Sequence, residues 1–351
     1  MEKIWKELEA VYDLLEDDLS KQIYERKVRS MLLNKDDATI DLMYETYPES
    51  RLLALEKCFG KKVPCVVAGA GCYGDKTYRA LTHAGYEVTC FIDNDEKKQG
   101  KTKNGKPVLS FAELCRGKCD AVVILDNMRL AKSFFNELVD LGYPQNKLFL
   151  NVDDTIRTTF GNIYFDLPQL YHAENEVFLD AGSFDGESTK EFIRWCGGKY
   201  KKIYAFEPLE EGYLLSESNL REYENIELIK CALSDENGET TFVSSVEGLM
   251  GARIGDKGER TISVPIRTID SILGGEEATF IKMDIEGAEL AALKGDVDTL
   301  RKYRPKLAIS LYHKNEDLID IPLWLHKNVP GYRYYLRHYS NKRWDFVLYC
   351  I

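Results

Sequence analysis

Asp180, Gly182 and Gly186 stand as D-x-G-x-x-x-G directly behind the apolar run VFL, and Glu207 ends the run IYAFEP 21 residues further on. In an open α/β sheet, ligands collect outside the carboxyl ends of the strands, near the first strand-to-helix turn. Glycines in that turn remove the Cβ atoms that would hold a nucleoside away from the backbone. The helix that starts near Glu187 aims its unpaired N–H groups back at the same place. A carboxylate at the next strand end suits a pair of ribose hydroxyls. Ser183 and Asp185 complete the turn, which is not the glycine pattern that cradles a diphosphate. The acids Asp180, Asp185 and Asp284 favour a ligand with positive charge, such as a sulfonium nucleoside. The alternative is that Asp180 only caps the following helix and Glu207 lies in an exposed loop.

Two more polar residues fall at strand ends. Asp284 follows TFIKM and His313 follows LAISLY, so both project toward the ligand edge of the sheet. The unperturbed pKa of a histidine suits His313 to general-base work at neutral pH, although a merely hydrogen-bonded histidine reads the same way. Asp284 is a candidate for holding a donor's amino group or for direct catalysis. Lys282, two residues earlier on the strand, shares its face and can pair with Asp284 or bind an acidic acceptor. Asp284, Glu286, Glu289 and His313 also offer oxygen and nitrogen ligands to a divalent cation. No metal is expected, since Glu289 fits equally well as an acid in the first turn of a helix.

A second glycine turn lies upstream. Gly69, Gly71 and Gly74 form G-x-G-x-x-G between an apolar strand and a helix, and Asp93 ends the next strand. That context is the one a dinucleotide fingerprint requires. A nucleotide or sugar-nucleotide site, a working dinucleotide site and a ligand-free scaffold all remain open. No His, Tyr or Lys constellation near this turn commits it to hydride transfer.

The elements that must position these residues divide the chain in four. Residues 1–58 read as amphipathic helices, with stripes at Ile4, Trp5, Leu8, Val11, Tyr12, Leu15 and Leu19, then Ile23, Val28, Met31 and Leu32, then Ile40 to Leu55. Such stripes are core or partner surface, and they are where a homo-oligomer would pair. Residues 59–150 alternate short apolar strands with helical stretches, the pattern of a small doubly wound domain. Residues 151–174 are read as a linker. From 175 to 351 a second alternation begins, interrupted by the β-like runs TTFVSS and RTISVPIRTI and closed by an antiparallel hairpin around SNKR.

VFLDAGSFDGES, AFEP, ALSDENG, VPIRTIDSIL, FIKMDIEGAE and SLYH occur in this order. In that series the region from about 175 to 350 resembles the FkbM-type methyltransferases. The resemblance implies a class I, Rossmann-like methyltransferase fold with an antiparallel final strand. It also implies S-adenosylmethionine as methyl donor and O-methylation of a hydroxyl on a sugar or related metabolite. Carried across, Asp180, Gly182 and Gly186 line the methionine and ribose end of the donor, and Glu207 takes the ribose. Ala232 and Leu233, with Ser234 and Asp235, flank the adenine. Asp284, Glu286 and Glu289 face the transferred methyl. Ser183 to Asp185 depart from the Gly or Asn common among relatives. The stretch through FIDND, GKPVLSFAEL and AVVILD resembles the small Rossmann-like domains attached to sugar-modifying transferases. The competing readings are an NAD-dependent oxidoreductase or sugar-nucleotide enzyme centred on Gly69 to Asp93, and a binding protein on a degenerate methyltransferase fold.

Composition narrows the classes. Fifty-eight acidic against 47 basic side chains give a net charge of −11, which repels phosphate backbones, so no nucleic-acid partner is expected. The amino terminus lacks a signal-peptide core and no run of 18 apolar residues occurs, so a cytoplasmic protein without a membrane span is expected. Nine scattered cysteines read as reduced thiols, and the Cys115/Cys119 pair as ordinary packing.

Overall fold

The computed structural model describes residues 2–33, 55, 58–60, 63–83, 85–117, 120–125, 131–150, 163–244, 253–254, 260–339 and 345–351. The chain forms two compact units, one of residues 1–33, 162–338 and 343–351, the other of residues 34–161 and 339–342. No helix among the described residues is long and apolar enough to cross a membrane.

The first helices belong with the carboxy-terminal unit and not with a separate segment 1–58. α1 (Glu2–Leu14) and α2 (Asp18–Leu33) carry the expected stripes, and Leu8, Val11, Leu15, Ile23 and Tyr24 are buried. Leu15 bridges to Tyr334, and Ser20 Oγ accepts from Leu336 N at 2.8 Å. The Arg337 guanidinium grips both oxygens of Asp17, at 2.6 and 3.2 Å. Such a two-pronged, charge-assisted contact fixes geometry as well as adding energy. Its partners lie 320 residues apart, beyond the reach of periodicity. Trp5 and Leu32 stay exposed. The third stripe, from Ile40, lies outside the described residues except for Leu55.

In the unit of residues 34–161, β1 (Cys65–Ala68) sits in the middle of the sheet. β2 (Val88–Ile92) and β5 (Val122–Leu125) flank it in parallel, with β4 (Lys106–Leu109) and β6 (Leu148–Leu150) outside them and β3 (Thr102–Lys103) antiparallel at the edge. Alternate residues of β1 enter different cores. Cys65 and Val67 meet Leu81 of α3 (Cys72–His83) on one face, while Val66 and Ala68 share a core with α4 (Phe111–Arg116) and α5 (Ala131–Asp140) on the other. The doubly wound pattern follows from strands apolar on both faces. Ser110 and Glu113 close a capping box at the start of α4.

The carboxy-terminal unit is built on seven strands. β7 (Glu176–Ala181) lies between β14 (Phe280–Met283) and β8 (Tyr200–Phe206), with β9 (Ile226–Ile229) beyond β8. β15 (Lys306–Ser310) follows β14, and the hairpin of β16 (Tyr334–His338) and β17 (Phe346–Cys350) closes that edge, β17 running antiparallel to β15. The hairpin tip, SNKR, lies outside the described residues. A smaller sheet takes β10 (Ala232–Leu233), β11 (Gly238–Ser244), β12 (Arg253–Ile254) and β13 (Arg260–Arg267); the two interrupting β-like runs pair with each other in it. Between the sheets' strands run α6 (Glu187–Trp195), α7 (Glu210–Leu220), α8 (Ile269–Leu273), α9 (Glu289–Lys294), α10 (Val297–Tyr303) and α11 (Asp317–Asn328), the last packing against α1. One face of the large sheet is held by an aromatic cluster in which Phe178 stacks on Phe192 at 4.0 Å and Phe165 meets Phe178, Trp195 and Phe280. Each such pair adds about 0.5–1.5 kcal/mol beyond its buried area. Phe165 lies in the stretch expected as a linker, and with Tyr164, Leu167 and Leu170 it is buried there.

Candidate active site

The turn behind β7 is locked on three sides. Gly182 N and Ser183 N donate to Phe206 O at 3.1 and 3.0 Å, tying it to the end of β8. On the other side Asp284 N donates to Ala181 O at 3.1 Å. Gly182 has φ +81°, and a Cβ there would stand 2.0 Å from Asp284 O. Only glycine allows the turn and the end of β14 to touch. Phe184 and Glu286 hold left-handed backbone at φ 47° and 56°, a strain that clusters at functional sites.

Asp180 lies beneath this turn without any exposure. Its Oδ2 accepts from Ser188 Oγ at 2.7 Å and Thr189 Oγ1 at 2.6 Å, both on α6, and its Oδ1 lies 3.0 Å from Lys282 Nζ. Lys282 was expected to meet Asp284 or an acidic acceptor. It pairs with Asp180 instead, because the parallel register sets Lys282 directly opposite Asp180. The ammonium also donates to Ala181 O and Gly182 O, at 3.2 and 2.7 Å. Asp180 and Lys282 thus brace the glycine turn from below. Ser183 is buried as well, with its hydroxyl 3.4 Å from that of Ser216. Asp185 accepts from Glu187 N, the first residue of α6, at 3.1 Å, while Gly186 holds the N-cap position. Gly186, at φ +80°, packs where a Cβ would meet Leu220 at 2.9 Å.

Glu207 converges on the same turn. Phe184 N donates to its Oε2 at 3.1 Å and Leu209 N to its Oε1 at 2.9 Å. Each carboxylate oxygen keeps lone-pair capacity for a further donor. Burial raises the Glu207 pKa above the usual carboxylate value, against the opposing pull of the two backbone bonds and the Lys282 charge. Gly212 of α7 makes room for it, since a Cβ there would sit 2.8 Å from Glu207 Cδ. This glycine has no motif signature and was not singled out from sequence. Ala232 and Leu233 are buried, and Ala232 shares a small core with Leu209, two residues past Glu207. Ser234 Oγ lies 3.2 Å from Asp235 Oδ1.

A second group gathers beyond Asp284. Tyr164 OH donates to its Oδ2 and Tyr312 OH to its Oδ1, both at 2.7 Å. Burial opposes the charge of Asp284, but Lys282, then His313 and the two hydroxyls, hold its pKa below the ordinary value. Burial and the nearby Asp284 push both tyrosines up, so they remain neutral donors. His313 Nδ1 lies 2.8 Å from Glu289 Oε1, which also accepts from Ile285 N at 2.9 Å. His313 Nε2 lies 3.4 Å from Asp284 Oδ1 and 3.5 Å from Glu286 Oε2. Burial disfavours the imidazolium, yet the Glu289 hydrogen bond and the three carboxylates outweigh it and raise the His313 pKa. Asp284, Glu289 and His313 each offer a ligand atom, all within 4.8 Å of one another. Tyr164 escaped sequence reading because it falls in the supposed linker; its aromatic-rich setting, IYFDLPQLY, was the available signal. Tyr334 and Tyr335 are buried in β16.

The amino-terminal turn has its own arrangement. Among the described residues, no atom comes within 4 Å of a Cβ built on Gly69 or Gly71, whereas one on Gly74 would strike Gly69 O at 1.7 Å. Asp93 Oδ2 accepts from Ala70 N at 2.7 Å and Lys98 Nζ at 3.0 Å, and Oδ1 from Asp95 N at 2.8 Å. Its carboxylate therefore ties down the turn. Seven described cysteines, Cys115 among them, are free thiols, and Cys119 lies outside the described residues.

A seven-strand sheet of this order with one antiparallel strand, a glycine turn behind the central strand and an acid ending the next define an α/β methyltransferase domain. Residues 180–334 match the family model described as the methyltransferase FkbM domain. That part of the chain is an FkbM methyltransferase domain. Residues 61–149 match the model described as C2185-like, N-terminal. Among solved structures, the chain is similar to a methyltransferase FkbM from Methylobacillus flagellatus, at 22% identity and TM-score 0.49, over 88% of this chain and 99% of that one. It is also similar to an rRNA methylase from Streptococcus thermophilus, at 17% and 0.34 over 50% of this chain and 86% of that one. Fibrillarin from Aeropyrum pernix in complex with S-adenosyl-L-methionine matches at 11% and 0.35, over 55% and 74%. No curated protein matches the chain.

Proposed function

We propose that the carboxy-terminal unit transfers a methyl group from S-adenosylmethionine to a hydroxyl of a small acceptor, a carbohydrate being the class the family favours. The observation that carries this reading is the meeting of Glu207 with the glycine turn through Phe184 N–H, on a turn whose other side touches Asp284. Glu207 takes the ribose hydroxyls, and the turn from Gly182 to Gly186 leaves the backbone open to the donor. Ser183 and Asp185 shape that turn, braced from beneath by Asp180 and Lys282. Ala232 and Leu233 border the adenine.

The acceptor approaches on the side of Asp284, Glu286 and His313, where its hydroxyl proton is drawn off. Methyl transfer is an in-line displacement, so the site's task is to align oxygen, methyl and sulfur and to make a weak nucleophile competent. Asp284, fixed by two tyrosine hydroxyls, is placed to orient the donor's amino group or the acceptor hydroxyl. His313 brings to this corner an Nε2 that has no hydrogen-bond partner among the described residues.

At the amino-terminal turn, the open space over Gly69 and Gly71 suits a nucleotide, with Asp93 bracing that turn and not gripping a ribose. The exposed apolar residues of α1 and α2 are where a second copy would dock. The test of the main reading incubates the full chain with methyl-labelled donor and a panel of hydroxylated sugars and glycosides, with mass spectrometry of the products. A mass gain of one methylene on a hydroxyl, lost in Asp284→Ala, supports it. Transfer to nitrogen or carbon acceptors alone overturns it.

A further inference from the structure

His313 carries two ring nitrogens in opposite situations. Nδ1 meets Glu289 Oε1 at 2.8 Å, and Glu289 is itself fixed by Ile285 N and has no exposure. Oε1 already accepts from Ile285 N, so it serves as an acceptor and Nδ1 donates to it. Nε2 is then left to face two carboxylates, Asp284 Oδ1 at 3.4 Å and Glu286 Oε2 at 3.5 Å. The side chain is only 8% exposed, and Nε2 has no hydrogen-bond partner among the described residues. Glu289 Oε2 is likewise buried without one. Two negative oxygens around one buried nitrogen call for positive charge at that corner, either from a ring proton, which would draw them in to about 2.7–2.9 Å, or from a bound cation.

We propose that the corner formed by His313 Nε2, Asp284 Oδ1 and Glu286 Oε2 binds a divalent cation of the class that accepts both imidazole and carboxylate, with Mn²⁺ the representative member. Ligand atoms about 2.0–2.2 Å from one ion, at angles between right and tetrahedral, lie roughly 2.9–3.6 Å apart. Both measured separations fall in that window. The surrounding contacts are those of an outer shell: Glu289 on the far nitrogen of the histidine, and Tyr164 and Tyr312 hydroxyls on the two oxygens of Asp284. Such partners fix the tautomer and aim the ligands. Two carboxylates with one imidazole suit Mn²⁺ or a neighbouring first-row ion, whereas thiolate-seeking ions find no sulfur in the set.

The inference rests on the methyltransferase reading and refines it, because His313 then serves as ligand and not as base. An acceptor hydroxyl bound to the ion is acidified. Its O–H bond breaks with the proton released to water, the oxygen forms the new bond to carbon, and sulfur keeps the pair of the bond it loses.

The test uses the full chain stripped with chelator and titrated with Mn²⁺, following the free-ion signal by electron paramagnetic resonance. Affinity for S-adenosylmethionine is measured in parallel by calorimetry. One saturable Mn²⁺ per chain is expected, with affinity falling at least tenfold in His313→Ala and in Glu286→Gln. Glu289→Gln, which touches only the far nitrogen, should lose roughly 10- to 100-fold. Glu286 is half-exposed, so that variant keeps the test sound if His313→Ala fails to fold. Absence of saturable binding, or binding unchanged in Glu286→Gln, overturns the proposal. Donor affinity separates the two claims: Mn²⁺ binding without donor binding sinks the methyltransferase reading and leaves the ion site, and the converse leaves the enzyme and removes the ion.

Discussion

Replacing Lys282 by Met should unfasten the glycine turn from below. The ammonium lies 3.0 Å from Asp180 Oδ1, and both side chains are buried. At an effective dielectric of about 20, that pair interacts by roughly 5 kcal/mol before desolvation is charged against it. Removing one partner strands the other, a change that costs about 3–5 kcal/mol in buried pairs. Ser188 and Thr189 still donate to Asp180, which places Lys282→Met near the lower end of that range. The loss of the bonds to Ala181 O and Gly182 O should also weaken donor binding. All four tryptophans, at 5, 195, 324 and 344, belong to the carboxy-terminal unit, so urea unfolding followed by tryptophan fluorescence reports that unit alone. The double variant Asp180→Asn, Lys282→Met removes the stranded charge and should recover most of the loss. A single variant within about 1 kcal/mol of the parent, or a double variant that loses the sum of both singles, would refute the bracing role.

Two other outcomes follow from the same geometry. Gly212→Ala drives a methyl into Glu207 and should weaken S-adenosylmethionine binding roughly tenfold by calorimetry while the fold persists. Burial and the Glu289 charge push Asp317 up from 3.8 to about 6, and its Oδ2 has no partner among the described residues. The raised folded value makes the protonated form the stabilising one, so this contribution is complete below pH 3.8 and fades as pH rises through about 6. Asp317→Asn should therefore gain up to about 3 kcal/mol at pH 8 and nothing below pH 4, read from urea midpoints across that range.

The fold was legible wherever a local period decided it. Runs such as VFLDA and FIKM are apolar on both faces, and only a parallel strand between two helix layers satisfies them. The glycine turn and Glu207 were legible because strand-end positions in such sheets point to one edge. What the sequence hid were relations set by register and by distant chain. Lys282 shares a face with Asp284, but only the pairing of β14 with β7 shows that Asp180 is its neighbour. Asp17 and Arg337 are joined by tertiary packing that no local pattern encodes. Residues 163–171 look like a connector because they form neither helix nor strand, yet Phe165 fills the core and Tyr164 holds Asp284. Ser183 and Asp180 sit in the motif but point inward, a reminder that a motif marks the frame of a site as much as its contacts.

The most direct measurement is calorimetric titration of S-adenosylmethionine into the full chain and into Glu207→Ala, with circular dichroism to confirm that both are folded. Hydrogen bonds from ribose hydroxyls to a charged carboxylate are worth about 1.5–3 kcal/mol, so the variant should bind roughly 10- to 100-fold more weakly. Equal affinities in the two proteins, or no binding to the parent chain, would contradict the account.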